Sequence, residues 1–286
     1  MKITDVKVHL LAKKPATPLR VSRAGSDYRF HAIVEVETDD GLTGLGEGIG
    51  NAPLVKTIID SRLRRSAIGQ DPFNVARVYE KLAKGGGYWE HKGSIACAAS
   101  AIEIACWDIM GKALGVPVYN LLGGRFHDRV KAYASDLFWE ENPASMAKKA
   151  ASYVDAGFDI VKTHLAVLDP VEDEVRVKAI RKAVGPDVGF MIDINCGYDL
   201  DRALEAAKRW GEYDLFWLEE PLVPMDLEGL AKLCTMTDIP IACGENEFGV
   251  HGFKQLLETG AVTYAMPDLG RAGGILETKK ITGLAE

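Results

Sequence analysis

Apolar and polar residues alternate along positions 2–12 and again along 30–38, Phe-His-Ala-Ile-Val-Glu-Val-Glu-Thr, the period of a strand with one buried face. A third short run, 42–47, follows Asp39-Asp40-Gly41, a sequence suited to a hairpin turn, so the chain opens on a small antiparallel sheet. Between its first two strands, roughly 13–29, lies a polar, proline-bearing loop long enough to act as a flap. The period then changes. Helical patterns run over 52–66 and 72–84, the second introduced by Asp71-Pro72 as cap and first-turn proline. An alanine-rich helix is predicted from Ser94 to Ala113, with Ile102, Cys106, Ile109 and Met110 on one face, stopping at Gly115-Val116-Pro117. The loop Gly85-Gly86-Gly87-Tyr88-Trp89-Glu90-His91 reads as a cover for a substrate or as a plain connector.

Rhythm and composition shift after Gly123-Gly124, which divides the chain into an α+β unit, 1–125, and a second unit, 126–286. There, apolar runs at about 129–135, 158–164, 188–194, 214–219, 239–244 and 262–267 alternate with amphipathic helices such as 143–156, 170–184 and 200–210. Alternating strands and helices predict a parallel sheet buried on both faces. A (β/α) barrel is the first expectation and a doubly wound open sheet the second.

Three of these runs end in an acid: Asp193 in Met191-Ile-Asp-Ile-Asn195, Glu219 in Trp217-Leu-Glu-Glu-Pro221, and Glu245 in Ala242-Cys-Gly-Glu-Asn246. The intervals are equal, 219 − 193 = 26 and 245 − 219 = 26, one strand–helix unit each. Neighbouring parallel strands would bring the three carboxylates to one end of the sheet, where like charges repel unless a cation binds them. An all-oxygen donor set favours a hard ion, Mg²⁺. The bland alternative is three acids that cap the helices after them. Lys162 and His164, two apart at the end of an earlier strand, face one side and are the two candidate bases; beside a cation, a lysine's proton affinity falls. Asp268, 268 − 245 = 23 residues after Glu245, is a fourth acid that would orient a catalytic histidine or cap its own loop. Asn195, on the same side as Asp193, and Glu220 are candidate substrate or supporting contacts.

Composition narrows the chemistry. The hydrophobic share of 47% and charged share of 26% are those of a globular protein, and 34 basic against 41 acidic residues leave a net charge of −7. With no basic block, nucleic acid and anionic membrane are not expected partners. No apolar run is read as a membrane span, and the five scattered cysteines fit the reducing cytoplasm. Gly44-Leu-Gly-Glu-Gly-Ile-Gly50 follows a hairpin and not the strand of a βαβ unit, which argues against a dinucleotide site. No nucleophile elbow, phosphate loop or zinc motif is present. A divalent ion with a strand-borne base suits removal of a weakly acidic proton next to a carboxylate.

With these features the chain resembles the enolase superfamily, and within it the mandelate racemase/muconate lactonizing enzyme group. The resemblance rests on Gly44-Leu-Gly-Glu-Gly48, on Ala99-Ser-Ala-Ile-Glu-Ile-Ala-Cys-Trp-Asp-Ile-Met-Gly-Lys112 with Val116-Pro-Val-Tyr-Asn-Leu-Leu-Gly-Gly124, on the three carboxylate strand ends, and on Pro267-Asp-Leu-Gly-Arg-Ala-Gly-Gly-Ile275. It implies an α+β capping domain over a modified (β/α)₇β barrel, Mg²⁺ on Asp193, Glu219 and Glu245, and the second-strand base at Lys162 or His164. Family members usually carry Lys-x-Lys there, and His164 stands at the second lysine's position. Asp268 matches an aspartate that pairs with a histidine on a seventh strand, which lies beyond the six units present. The expectation is therefore a barrel truncated after its sixth unit: part of a longer protein, completed by another chain, or an impaired member that only binds metal or oligomerises. Uncovered strand edges would favour a homo-oligomer. The leading functional expectation is dehydration of a sugar acid, with racemase, epimerase or cycloisomerase activity as alternatives.

Overall fold

The opening alternation is realised as a three-stranded antiparallel sheet in the computed structural model, which describes residues 1–15, 19–22, 24–85 and 88–286. Strand β1 (Ile3–Lys13) leads through a short ribbon, β2 (Leu19–Val21) and β3 (Ala24–Ser26), to β4 (Arg29–Thr38) and β5 (Thr43–Gly48), with β4 in the centre of the sheet. Val6 pairs with Val36 and Val8 with Val34, so the apolar positions of both strands share the buried face. Gly41, with φ of 78°, makes the turn that Asp39-Asp40-Gly41 predicts.

Helix α1 (Ala52–Ile58) continues through a π-helical turn (Ile59–Leu63) into α2 (Arg64–Ala67). Helix α3 (Val75–Ala83) starts later than expected, because the Asp71 side chain accepts the Phe73 N–H in a turn and Pro72 precedes the helix. The ribbon β6 (Lys84–Gly85) and β7 (Tyr88–Trp89) follows; the expected covering loop at 85–91 lies largely outside the described residues and their side chains. Helix α4 (Ser94–Leu114) ends at Gly115 in the left-handed conformation, and α5 (Val118–Leu121) comes next. By length and apolarity α4 would reach across a membrane, but it is largely buried as the core of this unit. It lies directly on β5. A Cβ on Gly44 would stand 2.1 Å from the Ala105 carbonyl oxygen, and one on Gly46 2.0 Å from that of Ala101. That contact accounts for Gly44 and Gly46, and Gly48 packs in the same way against Val55.

The remainder alternates strand and helix: β8 (Ala134–Leu137), α6 (Pro143–Asp155), β9 (Ile160–His164), α7 (Pro170–Val184), β10 (Gly189–Asp193), α8 (Leu200–Trp210), β11 (Leu215–Glu219), α9 (Leu227–Thr235), β12 (Ile241–Cys243), α10 (Gly249–Glu258), β13 (Tyr264–Ala265), α11 (Leu269–Ala272) and α12 (Gly274–Ala285). The first strand begins at Ala134, not near 129. The six strands are parallel and follow one another in sheet order from β8 to β13. A doubly wound sheet reverses its order at a switch point; this one does not, which overturns that alternative.

Two large apolar clusters form, one from residues of β1 through α4 and one from β8 through α12. Ile275 and Leu276 of α12 pack against the first. There the fully buried Glu103 of α4 accepts the Ile275 and Leu276 N–H groups at 2.8 and 3.0 Å and the Trp107 indole N–H at 2.7 Å.

Candidate active site

The strand register brings the expected residues together. Lys162 stands opposite Met191, His164 opposite Asp193, and Asp193 opposite Glu219, so β9, β10 and β11 end side by side. Lys162, His164, Asp193 and Glu219 are all buried, with Glu219 fully so. The Lys162 ammonium donates to Glu219 Oε1 at 2.6 Å and to Asp193 Oδ2 at 3.2 Å. Burial lowers the lysine's proton affinity, but the two carboxylates outweigh it and the net direction is up. The two carboxylates, its nearest charges, favour the protonated lysine.

Burial and the Asp193 charge push Glu219 up to about 7 against the pull of Lys162. Burial also raises Glu245, with the charges of Asp193 and Glu220 adding to it. Asp193 is penalised by burial too, yet its His164 and Lys162 neighbours and the Asn195 N–H hold it below the usual carboxylate range. Three acids that sense one another in a buried pocket, already gathering one cationic group, have the hard-oxygen chemistry that fits a divalent ion. Among the described residues no three acidic, histidine or cysteine side chains stand in a ready-made cage, since Lys162 lies between Asp193 and Glu219.

His164 Nδ1 lies 3.2 Å from Asp193 Oδ2 and 3.1 Å from Asn195 Oδ1, and its ring stacks on Phe138 at 4.8 Å. Two oxygen acceptors assign a proton to Nδ1, which leaves Nε2 as the ring nitrogen not engaged by these partners. Asn195, expected as a substrate or supporting contact, spends its side-chain oxygen on His164, and its N–H goes to Asp193 Oδ1 at 2.8 Å. Glu220, expected as a substrate or supporting contact, is buried with both oxygens occupied, by the Gly244 N–H on one and by Cys196 and Asn246 on the other. Those bonds are the supporting arrangement of the two expected. Asp268 is exposed and caps α11 by accepting the Gly270 N–H at 2.7 Å; among the described contacts it meets no other candidate residue. The capping alternative for that acid is the one the structure displays.

Each of the strands β9 to β12 leaves the sheet through the left-handed region, at Ala166, at Asn195 and Cys196, at Glu220 and at Gly244. For non-glycine residues that conformation costs about 1–2 kcal/mol each, so the surrounding bonds must over-determine it.

Some contributors had little local signal. Trp217 donates its indole N–H to Glu219 Oε2 at 3.0 Å, and its position two residues earlier on the same strand was a usable hint. Phe138 and the capping-unit residue Ser22, whose hydroxyl donates to the Asn195 carbonyl at 3.1 Å, come from distant segments. Gly197 meets Ser22 so closely that a Cβ there would be 2.6 Å from the serine Cβ. Val21, Asn195, Met225, Glu245 and Asn246 help line a cavity of about 380 Å³ at this mouth. The described part of the flap therefore covers the strand ends; 16–18 and 23 lie outside the described residues. A cavity of about 1210 Å³ at the opposite strand ends, lined by Lys208, Asp214 and Asp238 among others, holds none of these groups.

An α+β unit closing over a parallel α/β unit with acids at successive strand ends defines an enzyme of the enolase type. The chain belongs to the mandelate racemase/muconate lactonizing enzyme group of the enolase superfamily. The N-terminal domain model of that group matches residues 4–123, and the enolase C-terminal domain-like model matches 145–286. A D-galactarolactone cycloisomerase of Agrobacterium fabrum is 36% identical over 289 residues, covering 100% of this chain and 76% of that protein. A D-galactonate dehydratase of Ralstonia nicotianae is 36% identical over 267 residues, covering 89% of this chain and 68% of that protein. The crystal structure of a racemase from Streptomyces coelicolor with bound magnesium superimposes with a TM-score of 0.92 at 30% identity, covering 99% of this chain and 80% of that one.

Proposed function

We propose that this chain is a cytoplasmic Mg²⁺-dependent enzyme that removes the proton α to the carboxylate of a sugar acid and then expels the β-hydroxyl, giving a 2-keto-3-deoxy acid. The observation that carries it is the buried cluster in which His164 and Lys162 meet Asp193 and Glu219 at adjacent strand ends. The relatedness to a sugar-acid dehydratase supports the substrate class. Residues 1–125 form the covering unit and 126–286 the barrel-type unit with its six parallel strands.

Asp193, Glu219 and Glu245 would hold Mg²⁺, whose charge favours build-up of negative charge on the substrate carboxylate during proton removal. His164 takes the α-proton on Nε2, since Nδ1 is engaged by Asp193 and Asn195 and Phe138 fixes the ring plane. The α C–H electron pair moves into the carboxylate to give an enediolate. Its collapse breaks the β C–O bond; the departing hydroxide takes a proton from solvent and leaves as water, and His164 gives the abstracted proton back to solvent. The enol then tautomerises to the keto acid. Lys162, which donates to both Asp193 and Glu219, orients the two acids. Ring opening or closure by a cycloisomerase begins with the same abstraction, and the Agrobacterium fabrum relative keeps that reading second.

The test is exchange of the α-proton in D₂O with Mg²⁺ and a panel of sugar acids, followed by detection of the 2-keto product. Exchange with one or more acids, lost in Glu219→Gln, is expected. Absence of exchange with every acid would overturn the proposal.

A further inference from the structure

Glu220 is a buried acid that the proposed chemistry does not use. Its Oε1 accepts the Gly244 N–H at 2.8 Å. Its Oε2 accepts the Cys196 thiol at 3.1 Å and the Asn246 side-chain amide at 3.3 Å, and that amide also approaches the Cys196 sulfur at 3.7 Å. The backbone repeats the pattern. Glu220 O accepts the Cys196 N–H at 2.7 Å, while Glu220 N donates to Ala242 O at 2.9 Å. One residue therefore bonds the loop after β10 on one side and the end of β12 with its loop on the other.

The three loops so joined carry the three acids. Cys196 is three residues past Asp193, Glu220 follows Glu219 directly, and Gly244 and Asn246 flank Glu245. Strand alternation sends Glu219 to the Lys162 side and Glu220 to the other, so the two neighbouring carboxylates do different jobs. Glu220 and Cys196 sit at φ of 44° and 59°, conformations that survive only where several bonds enforce them. The described partners of the Glu220 carboxylate are all neutral donors.

We propose that Glu220 is a positioning residue: it ties together the loops after β10, β11 and β12 and thereby sets the mutual spacing of Asp193, Glu219 and Glu245 for a divalent cation. This rests on the assignment of those three acids as the Mg²⁺ set. Residues that orient metal ligands typically change metal affinity by about 10- to 100-fold when removed.

The experiment is calorimetric titration of the full chain with Mg²⁺ alone, alongside thermal unfolding without Mg²⁺. Glu220→Ala should weaken Mg²⁺ binding at least about tenfold. Glu220→Gln, which keeps an acceptor for Gly244, should recover part of that loss. A residue important only for folding would lower the metal-free unfolding midpoint and leave the Mg²⁺ affinity of the folded protein unchanged. Wild-type affinity in folded Glu220→Ala would overturn the inference and leave the metal assignment standing. If the wild type does not bind Mg²⁺, or Glu219→Gln binds it equally well, the metal assignment fails and this inference with it. Should Glu220→Ala not fold, Asn246→Ala and Cys196→Ala each remove one donor. Weakened Mg²⁺ binding at a near-normal midpoint in either supports the inference, and normal binding in both overturns it.

Discussion

Replacing Glu103 should loosen α12 from the capping unit by an amount the structure allows one to work out. The buried carboxylate accepts three N–H groups, from Trp107, Ile275 and Leu276, at 2.7, 2.8 and 3.0 Å. A hydrogen bond to a charged acceptor contributes about 1.5–3 kcal/mol, so three would sum to roughly 5–9 kcal/mol if nothing opposed them. Burial opposes them: it raises the Glu103 pKa in spite of those donors, so desolvation of the acid offsets a good part of the sum. Removing the acceptor leaves three buried N–H groups without their partner, each costing about 1–3 kcal/mol, so a loss of about 3–5 kcal/mol is expected for Glu103→Ala near neutral pH. Glu103→Gln keeps one acceptor but turns an amide donor toward N–H groups, and about half that loss is expected. Urea unfolding measures the totals, and hydrogen exchange at the Ile275 and Leu276 amides locates them. The sign of the pH dependence follows from the raised pKa. The native state binds the Glu103 proton more tightly than the unfolded chain, so this residue's contribution is full below its ordinary 4.5 and declines as pH rises through the folded value. A Glu103→Ala loss below about 1 kcal/mol, with protection at Ile275 and Leu276 unchanged, would refute the reasoning.

Other outcomes follow from the same contacts. His164→Ala should lower the rate of α-proton exchange by about 10²- to 10⁴-fold, measured by NMR in D₂O, and an unchanged rate would move the base elsewhere. Lys162→Met removes the cation between Asp193 and Glu219, so metal-free unfolding should occur at lower temperature by calorimetry; a more stable variant would show that the lysine does not offset acid repulsion. Gly46→Ala drives a Cβ to 2.0 Å from the Ala101 carbonyl oxygen and should destabilise the capping unit by about 1–3 kcal/mol in urea unfolding, whereas a neutral result would mean that β5 and α4 can separate easily.

The sequence by itself determined what is local and periodic. Alternation marked β1 and β4 as one-sided strands, and the 26-residue spacing marked Asp193, Glu219 and Glu245 as equivalent strand ends. Once β9, β10 and β11 pair in parallel, their register brings Lys162, His164, Asp193 and Glu219 together, so that cluster was legible before any coordinates. The edges of weaker elements were not. The strand before α6 starts at Ala134 and α3 starts at Val75, because turn hydrogen bonds and neighbouring strands, not composition, decide where an element ends.

Only the tertiary structure decided which acid does what. Glu219 and Glu220 are adjacent in sequence and alike in chemistry, yet one faces Lys162 and the other bonds Gly244, Cys196 and Asn246. Asp268 reads by spacing as a fourth site acid or as a cap of its own loop, and in space it caps α11. Glu103 looks like one polar residue in an alanine-rich helix, and its partners Ile275 and Leu276 lie 172 and 173 residues away. A side chain's ionisation and task depend on how deeply it is buried and on which donors meet it there, and those donors come from segments that only folding brings into contact.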